Sequence, residues 1–367
     1  MNGQTRPLRI CYFGIYDPEF CRNNVYRKGL IENGATVIEC NDRSRGLKKY
    51  FHLFQKHWRI RNDYDVMIVG YPGYIMVPFA RLITRKPIIF DALCSFYEAQ
   101  IISRDAYAGI PFRITYVRFV DWMANTFSDK ILVETDAQRR YYEKELSVRE
   151  GKCVPVFIGV DEESFFYDPQ VKKNKEFTVF FRGRLTIEAG FRHIIEAARL
   201  LENEPIIFKA VGFGFGPVVE DIKMRLEQYN LKNFTLVEHQ MPIDELRCAM
   251  GASQVSLGQF EDNERISRTI PHKAFESLAM RLPYITARMS ENAGITELCI
   301  DKENCVFVKP ADPVDLAEKI KLLANDAKLQ ANLAERGFET HQSRFTSRVL
   351  GGEVLAVAEE LMGVRRA

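Results

Sequence analysis

Short apolar runs alternate along this chain with stretches whose apolar residues recur every three or four positions, and the alternation persists to about position 325. No other feature constrains the fold as strongly, because a short continuous apolar run suits a buried strand and a period near 3.6 suits an amphipathic helix. The strand-like runs are LRICYF (8–13), ATVIEC (35–40), DVMIVG (65–70), PIIFD (87–91) and DKILVE (129–134). After a pause they resume as FTVFFRG (177–183), PIIFKAVG (205–212), FTLVE (234–238), SQVSLG (253–258), LPYITA (282–287) and NCVFVK (304–309). Helical patterns at about 24–33, 44–60, 75–84 and 111–126 separate the first set. Patterns at about 189–202, 217–229, 242–250, 271–281 and 312–325 separate the second. Strands that are apolar throughout need cover on both faces, which is the situation of a parallel sheet in an α/β protein.

The pause itself, VDEESFFYDPQVKKNKE (160–176), is polar and lysine-rich and reads as an interdomain linker. With 367 residues there is chain enough for two domains. The expectation is two doubly wound, Rossmann-like parallel-sheet domains, residues 1–165 and 166–345, facing across a cleft. A helix at 346–363, striped by Val349, Leu350, Val354, Val357 and Leu361, would pack back on the first domain. A single (β/α)₈ barrel is the alternative, and the restart at FTVFF argues against it. The eight cysteines form no CxxC pair and share no metal spacing with the six histidines, so no metal site is expected. No signal-like start and no long apolar run is found, which points to a cytoplasmic protein with reduced thiols.

In doubly wound domains ligands bind beyond the C-terminal strand ends. VGFGFGP (211–217) follows a strand, but its GxGxG spacing makes a poor dinucleotide fingerprint. It reads either as a plain strand-to-helix turn or as a loop lining a nucleotide cleft, with Gly212 allowing close backbone approach and Phe213 beside a base. RTIPHKAFESLAM (268–280) opens a helix with Pro271 in its first turn, so Lys273 sits beside free backbone N–H groups, an arrangement suited to anions. Glu276 follows on the same helix face. A diphosphate on Lys273 with ribose hydroxyls on Glu276 fits a nucleoside diphosphate, and an ordinary i,i+3 ion pair is the plainer reading. Arg184, just after the strand FTVFFRG, carries a fork of donors matched to phosphate, with Arg182 a competitor for the role.

These pieces, in this order, resemble the group 1 (family 4) retaining glycosyltransferases of GT-B fold. The resemblance rests on RGRL before a glycine-led helix, VGFGFGP, PHKAFESLAMRLPYI, NCVFVKPADPVDLAEKI and the junction IGVD at 158–161, and it is strongest over about 150–325. It implies that Glu276 binds ribose hydroxyls, that Arg184 meets the diphosphate, and that Gly14 opens the loop beneath the transferred sugar. It also implies a nucleotide-sugar donor, a glycan or lipid-linked acceptor, retention of configuration and no metal or cofactor. Two positions depart from the family pattern. Arg268 stands where a first glutamate is usual, and Ala189 where a lysine usually follows Arg184 by five residues. Lys273 is the candidate to supply the missing charge. Charge growing on the leaving diphosphate would then be met by Arg184, Lys273 and the helix end.

On the acceptor side, Asp91 ends a strand and reads either as the group that orients or deprotonates the acceptor hydroxyl or as a helix cap. Arg104 and Asp105 form a further polar pair. Residues 1–62 hold twelve Lys and Arg against five acids, and positions 43–61 hold seven basic residues and no acid. Leu47, Tyr50, Phe51, Phe54 and Trp58 fall at helical spacing there, and two readings follow. The stripe packs on the sheet under a solvated basic side, or the helix attaches to an anionic membrane surface, placing the protein at the inner face of the membrane. With the aromatic residues on the expected buried stripe, nucleic acid is not a partner. The alternatives to a transferase are a GT-B sugar-nucleotide epimerase and a catalytically inactive nucleotide-binding scaffold.

Overall fold

The computed structural model describes residues 6–102 and 110–363, so Arg104 and Asp105 lie outside the described residues. The chain divides into two compact units, residues 1–161 with 345–367 and residues 162–344.

The first unit runs β1 (Arg9–Gly14), α1 (Cys21–Glu32), β2 (Thr36–Asn41), α2 (Lys48–Ile60), β3 (Val66–Val69), α3 (Met76–Ile83), β4 (Ile88–Leu93), α4 (Arg113–Phe127), β5 (Lys130–Val133), α5 (Asp136–Lys144) and β6 (Cys153–Pro155). Its parallel strands are ordered β2-β1-β3-β4-β5-β6. The chain steps one way from β1 to β2 and the other way from β2 onward. Right-handed crossovers therefore place α1 on one face of the sheet and α2 to α5 on the other. The two cores agree: Leu53, Val77, Val117 and Tyr142 fill one side, Val25 and Leu30 the other.

The second unit runs β7 (Phe177–Arg184), α6 (Phe191–Leu200), β8 (Ile206–Phe213), α7 (Pro217–Tyr229), β9 (Phe234–Val237), α8 (Ile243–Gly251), β10 (Val255–Leu257), α9 (His272–Ala279), β11 (Tyr284–Ala287), β12 (Val306–Val308), α10 (Pro313–Asn325) and α11 (Ala327–Arg344). Its strands are ordered β12-β11-β10-β7-β8-β9, again all parallel. Side-chain caps fix several helix starts. Asp312 accepts from the Val314 and Asp315 N–H groups ahead of α10, with Pro313 at its first position. From Glu162 on, the lysine-rich stretch read as a linker is part of this unit: Phe165 is buried, Lys173 Nζ donates to the Ser253 carbonyl at 2.5 Å and Asn174 N–H to the Ala252 carbonyl at 2.8 Å.

The last helix, α12 (Ser347–Leu361), is capped by Thr346 and packs on α1 of the first unit. The crossing is close because two glycines meet. A Cβ on Gly351 would overlap the Gly29 backbone, and a Cβ on Gly29 would overlap the Ser347 carbonyl. Leu350, Val354 and Val357 then enter the core beside Val25 and Leu30.

Helix α2 differs from the packed-stripe reading. Leu53 and His57 enter the core and Tyr50 is half-buried, whereas Leu47, Phe51, Phe54 and Trp58 are 82, 61, 42 and 55% exposed. Two rows, 50/53/57/60 and 47/51/54/58, lie one residue apart, about 100° around the helix, so only one can face the sheet. His57 belongs to the buried row because its Nε2 meets the Tyr64 hydroxyl at 2.8 Å, which in turn donates to Thr84 Oγ1 at 2.8 Å. Burial and two nearby cations hold that imidazole below its ordinary pKa, so its neutral form fits the core.

Candidate functional site

In the second unit β7 and β10 are neighbours from which the chain departs in opposite directions, the kind of switch point where doubly wound sheets bind ligands. At this switch point stand Gly183 and Arg184, the last residues of β7, and Gly258 just after β10. Gly183 has φ +143°, a conformation that L side chains rarely adopt, and a Cβ there would come within 3.3 Å of Lys273 Nζ. The glycine leaves the space that the lysine fills.

Lys273 is buried in the first turn of α9, whose N-cap is Pro271. The sequence reading placed its charge at the open helix end. Instead Nζ turns to the end of β10, donating to the Gly258 carbonyl at 3.2 Å and lying 3.8 Å from the centroid of the Phe181 ring. Burial, reinforced by Arg182 and opposed by Glu276, brings its pKa down to about 7. Glu276, one turn on, is also buried, and Arg182 Nη2 donates to its Oε1 at 2.5 Å. Burial pushes this carboxyl upward against the pull of Arg182 and Lys273. Glu276 Oε2 and Arg182 Nε have no hydrogen-bond partner among the described residues, so the pair retains one free acceptor and one free donor.

Arg182 links this pair to a cavity of about 490 Å³ lined by Gly183, Val211, Phe213, positions 239–243 and Leu246. Its walls are mostly apolar apart from Arg182, His239 and Gln240, a composition suited to a flat heterocycle with a charged group at its rim. Arg184 is exposed, its guanidinium carbon 5.7 Å from the Phe213 ring centroid. Gly212 is not in the lining. It pairs with Gly183 inside the sheet, where a Cβ would come within 2.8 Å of Leu185 Cδ2, so its small size serves strand packing. β8 itself continues through Phe213, and the turn expected at VGFGFGP begins only at Gly214.

The structure thus brings Arg184, its competitor Arg182, Phe213, Lys273 and Glu276 to one end of one sheet and adds Gly183 and the 239–246 segment, which sequence reasoning does not place there. That segment directly follows β9, so the strand-end rule was the signal that could have found it. Of the departures from the family pattern, Ala189 is a core residue, and Arg268 donates to Glu264 at 2.8 Å.

Two remaining residues belong to the first unit. Gly14 ends β1 with φ +135°. Asp91 was expected to face open space from the end of PIIFD. It is instead fully buried, with Arg22 Nε 2.6 Å from its Oδ1, while Arg22 Nη1 donates to the Val156 carbonyl at 2.8 Å. A carboxylate enclosed in this way ties α1 to β4 and has no access to an acceptor hydroxyl.

The model of the glycosyl transferases group 1 family matches residues 163–340. The putative colanic acid biosynthesis glycosyltransferase WcaL of Escherichia coli strain K12 is 24% identical over 210 residues, 56% of this chain and 50% of that protein, so the match spans about half the relative's length. Anabaena Alr3699/HepE, solved in complex with UDP and glucose, aligns at TM-score 0.68 and 14% identity over 95% of this chain and 98% of its own. Sucrose-phosphate synthase from Thermosynechococcus elongatus aligns at TM-score 0.71 and 14% identity over 98% of this chain and 100% of its own. The fold of this chain is that of the GT-B glycosyltransferases, and residues 163–340 place its second unit in the group 1 glycosyl transferase family.

Proposed function

We propose that the protein transfers a sugar, with retention, from a nucleoside-diphosphate sugar to a hydroxyl of a glycan or lipid-linked acceptor. The observation that carries the reading is the buried Glu276 carboxylate, with one oxygen unused, held by a part-exposed Arg182 that lines a mostly apolar cavity. The base occupies that cavity. The diphosphate draws Arg182 and Arg184, and Glu276, released from Arg182, accepts the ribose hydroxyls. Lys273, protonated beside the diphosphate, takes up charge as the glycosidic bond breaks. Three cationic side chains supply the charge that a metal would otherwise bring, so transfer is expected to persist in a chelator. The Alr3699/HepE complex with UDP-glucose supports a uridine donor among the candidates. The basic helix α2 supports a place at the cytoplasmic face of a membrane, in keeping with a lipid-linked acceptor.

The test is a panel of UDP-, GDP- and ADP-sugars, read first by thermal shift, since a ligand bound only to the folded state raises the melting temperature. Turnover with candidate acceptors and the anomeric configuration of the product follow. Interconversion of free donors would mean an epimerase, and binding without turnover an inactive scaffold. Either result would overturn the reading.

A further inference from the structure

The exposed apolar row of α2 does not stand alone. Helix α4 lies on the same face of the first unit's sheet, and it too carries large apolar side chains away from the core. Val117, Val120 and Ala124 are buried, while on the opposite side Phe119 and Trp122 are 51 and 57% exposed, their rings stacked at 5.8 Å. Ahead of the helix Phe112 is 85% exposed with φ +60°, in the left-handed region that L side chains rarely adopt. Tyr50 of α2 is T-stacked at 5.3 Å on Phe79 of α3, and α3 packs on α4, so the three helices adjoin on one face of the sheet. Asp17 and Asp42 pair with Arg43 and Lys56, and the charge that remains has one sign. Residues 43–61 contain no acid, Arg45, Lys48 and Arg59 are exposed and form no ion pair among the described residues, and the single acid of α4, Asp121, is buried.

We propose that α2 and α4 together form a docking surface for an anionic lipid bilayer, α2 supplying most of the charge and α4 a second apolar anchor. This deepens the membrane reading given above for positions 43–61 and rests on it. Charge complementarity selects the occupant: a basic face with Trp and Phe at its rim matches the interfacial zone of an anionic leaflet, where aromatic rings settle and each nearby Lys or Arg adds to binding. A second copy of the chain would set the same basic residues against one another. No helix among the described residues is long and apolar enough to cross a membrane, so the contact is peripheral.

The chain's two tryptophans, Trp58 and Trp122, both lie on this surface, one on each helix, so intrinsic fluorescence reports on it directly. The full-length protein is titrated with vesicles of phosphatidylcholine alone and of phosphatidylcholine with about one-third phosphatidylglycerol, at low and high salt. Expected are co-sedimentation and a blue shift with the anionic vesicles only, in both Trp58→Phe and Trp122→Phe, each of which retains one reporter. Arg45→Ser with Lys48→Ser and Arg59→Ser should weaken binding on the order of a hundredfold, at about fivefold per charge. Phe112→Ser with Phe119→Ser should weaken it about tenfold or more, the loss persisting at high salt, with melting temperature unchanged. If the Trp122 reporter stays silent while the Trp58 reporter responds, the two-helix surface is overturned and the 43–61 reading survives. Absence of binding to anionic vesicles at low salt overturns both. A blue shift that depends on protein concentration and needs no lipid would assign the face to a second copy and overturn the proposal.

Discussion

Each unit holds a buried carboxylate on an arginine close to the C-terminal ends of its strands, and the two pairs do opposite things. Arg22 and Asp91 of the first unit are both 0% exposed; the arginine spends a further donor on the Val156 carbonyl, and the spare Arg22 Nη2 and Asp91 Oδ2 are enclosed with them, so spare polar atoms occur in both pairs and exposure is what separates them. In the second unit Glu276 is equally enclosed, but the Arg182 side chain is 28% exposed and lines a cavity. Removing two charges from water is costly, and in the enclosed pair the return is mutual attraction and the junction of α1 with β4. In the open pair the arginine can exchange its partner for a ligand. A strand-end carboxylate therefore signals a binding site only when its counter-ion can leave.

Breaking each pair tests this contrast. The largest effect is expected for Asp91→Ala, which leaves Arg22 charged and unpaired in the core. Denaturant unfolding should show a loss of about 3–5 kcal/mol in the first unit. A variant of normal stability that had lost only turnover would return Asp91 to the acceptor chemistry. Glu276→Gln should leave stability closer to wild type and weaken nucleotide binding by about 1.5–3 kcal/mol, the scale of hydrogen bonds to charged groups, as titration calorimetry would show. Unchanged affinity would remove Glu276 from the ribose site. Lys273→Met keeps most of the side-chain volume and should lower nucleotide affinity by about 1–2 kcal/mol while sparing the melting temperature. Donor affinity equal to wild type would sink the role given to Lys273.

The smallest effect is a proton. Lys273 is held down to about 7 from the ordinary lysine value of 10.5, and a bound diphosphate should restore its pKa. Between those two values the free protein lacks a proton that the complex carries. Nucleotide binding is therefore expected to take one up near pH 8 and to weaken as pH rises, and calorimetry in buffers of different ionisation heat would count it. For folding the sign is reversed. The unfolded chain holds the extra proton in that window, so the cost of burying Lys273 is full below pH 7 and shrinks as pH climbs.

The sequence alone made the two parallel sheets legible because eleven of twelve strands are compact apolar runs, whereas β6 is a short segment that ends in Pro155. Helix α11 gave little signal, since it buries only Leu333, Gly337 and His341. Within the site, Lys273 and Glu276 could be paired by helical spacing. Their partner Arg182 could not, because it is 94 residues from Glu276 and differs from Arg184 only by a two-residue step along β7. Asp91 misled for the same reason, its counter-ion being 69 residues away on α1. On α2 two apolar rows satisfied one helical period. The choice between them turned on His57, whose contact with Tyr64 makes a polar residue part of the core.

The close crossing of Gly29 and Gly351 also sets an order of events during synthesis. Residues 162–344 leave the ribosome as one uninterrupted stretch with a sheet and core of their own, whereas the first unit lacks its closing helix until α12 has followed them out. The unit whose sheet is made earlier is the one closed later. Until then the side of α1 that α12 will cover offers Val25 and Leu30 to whatever is near, and deleting α12 would prolong that exposure indefinitely.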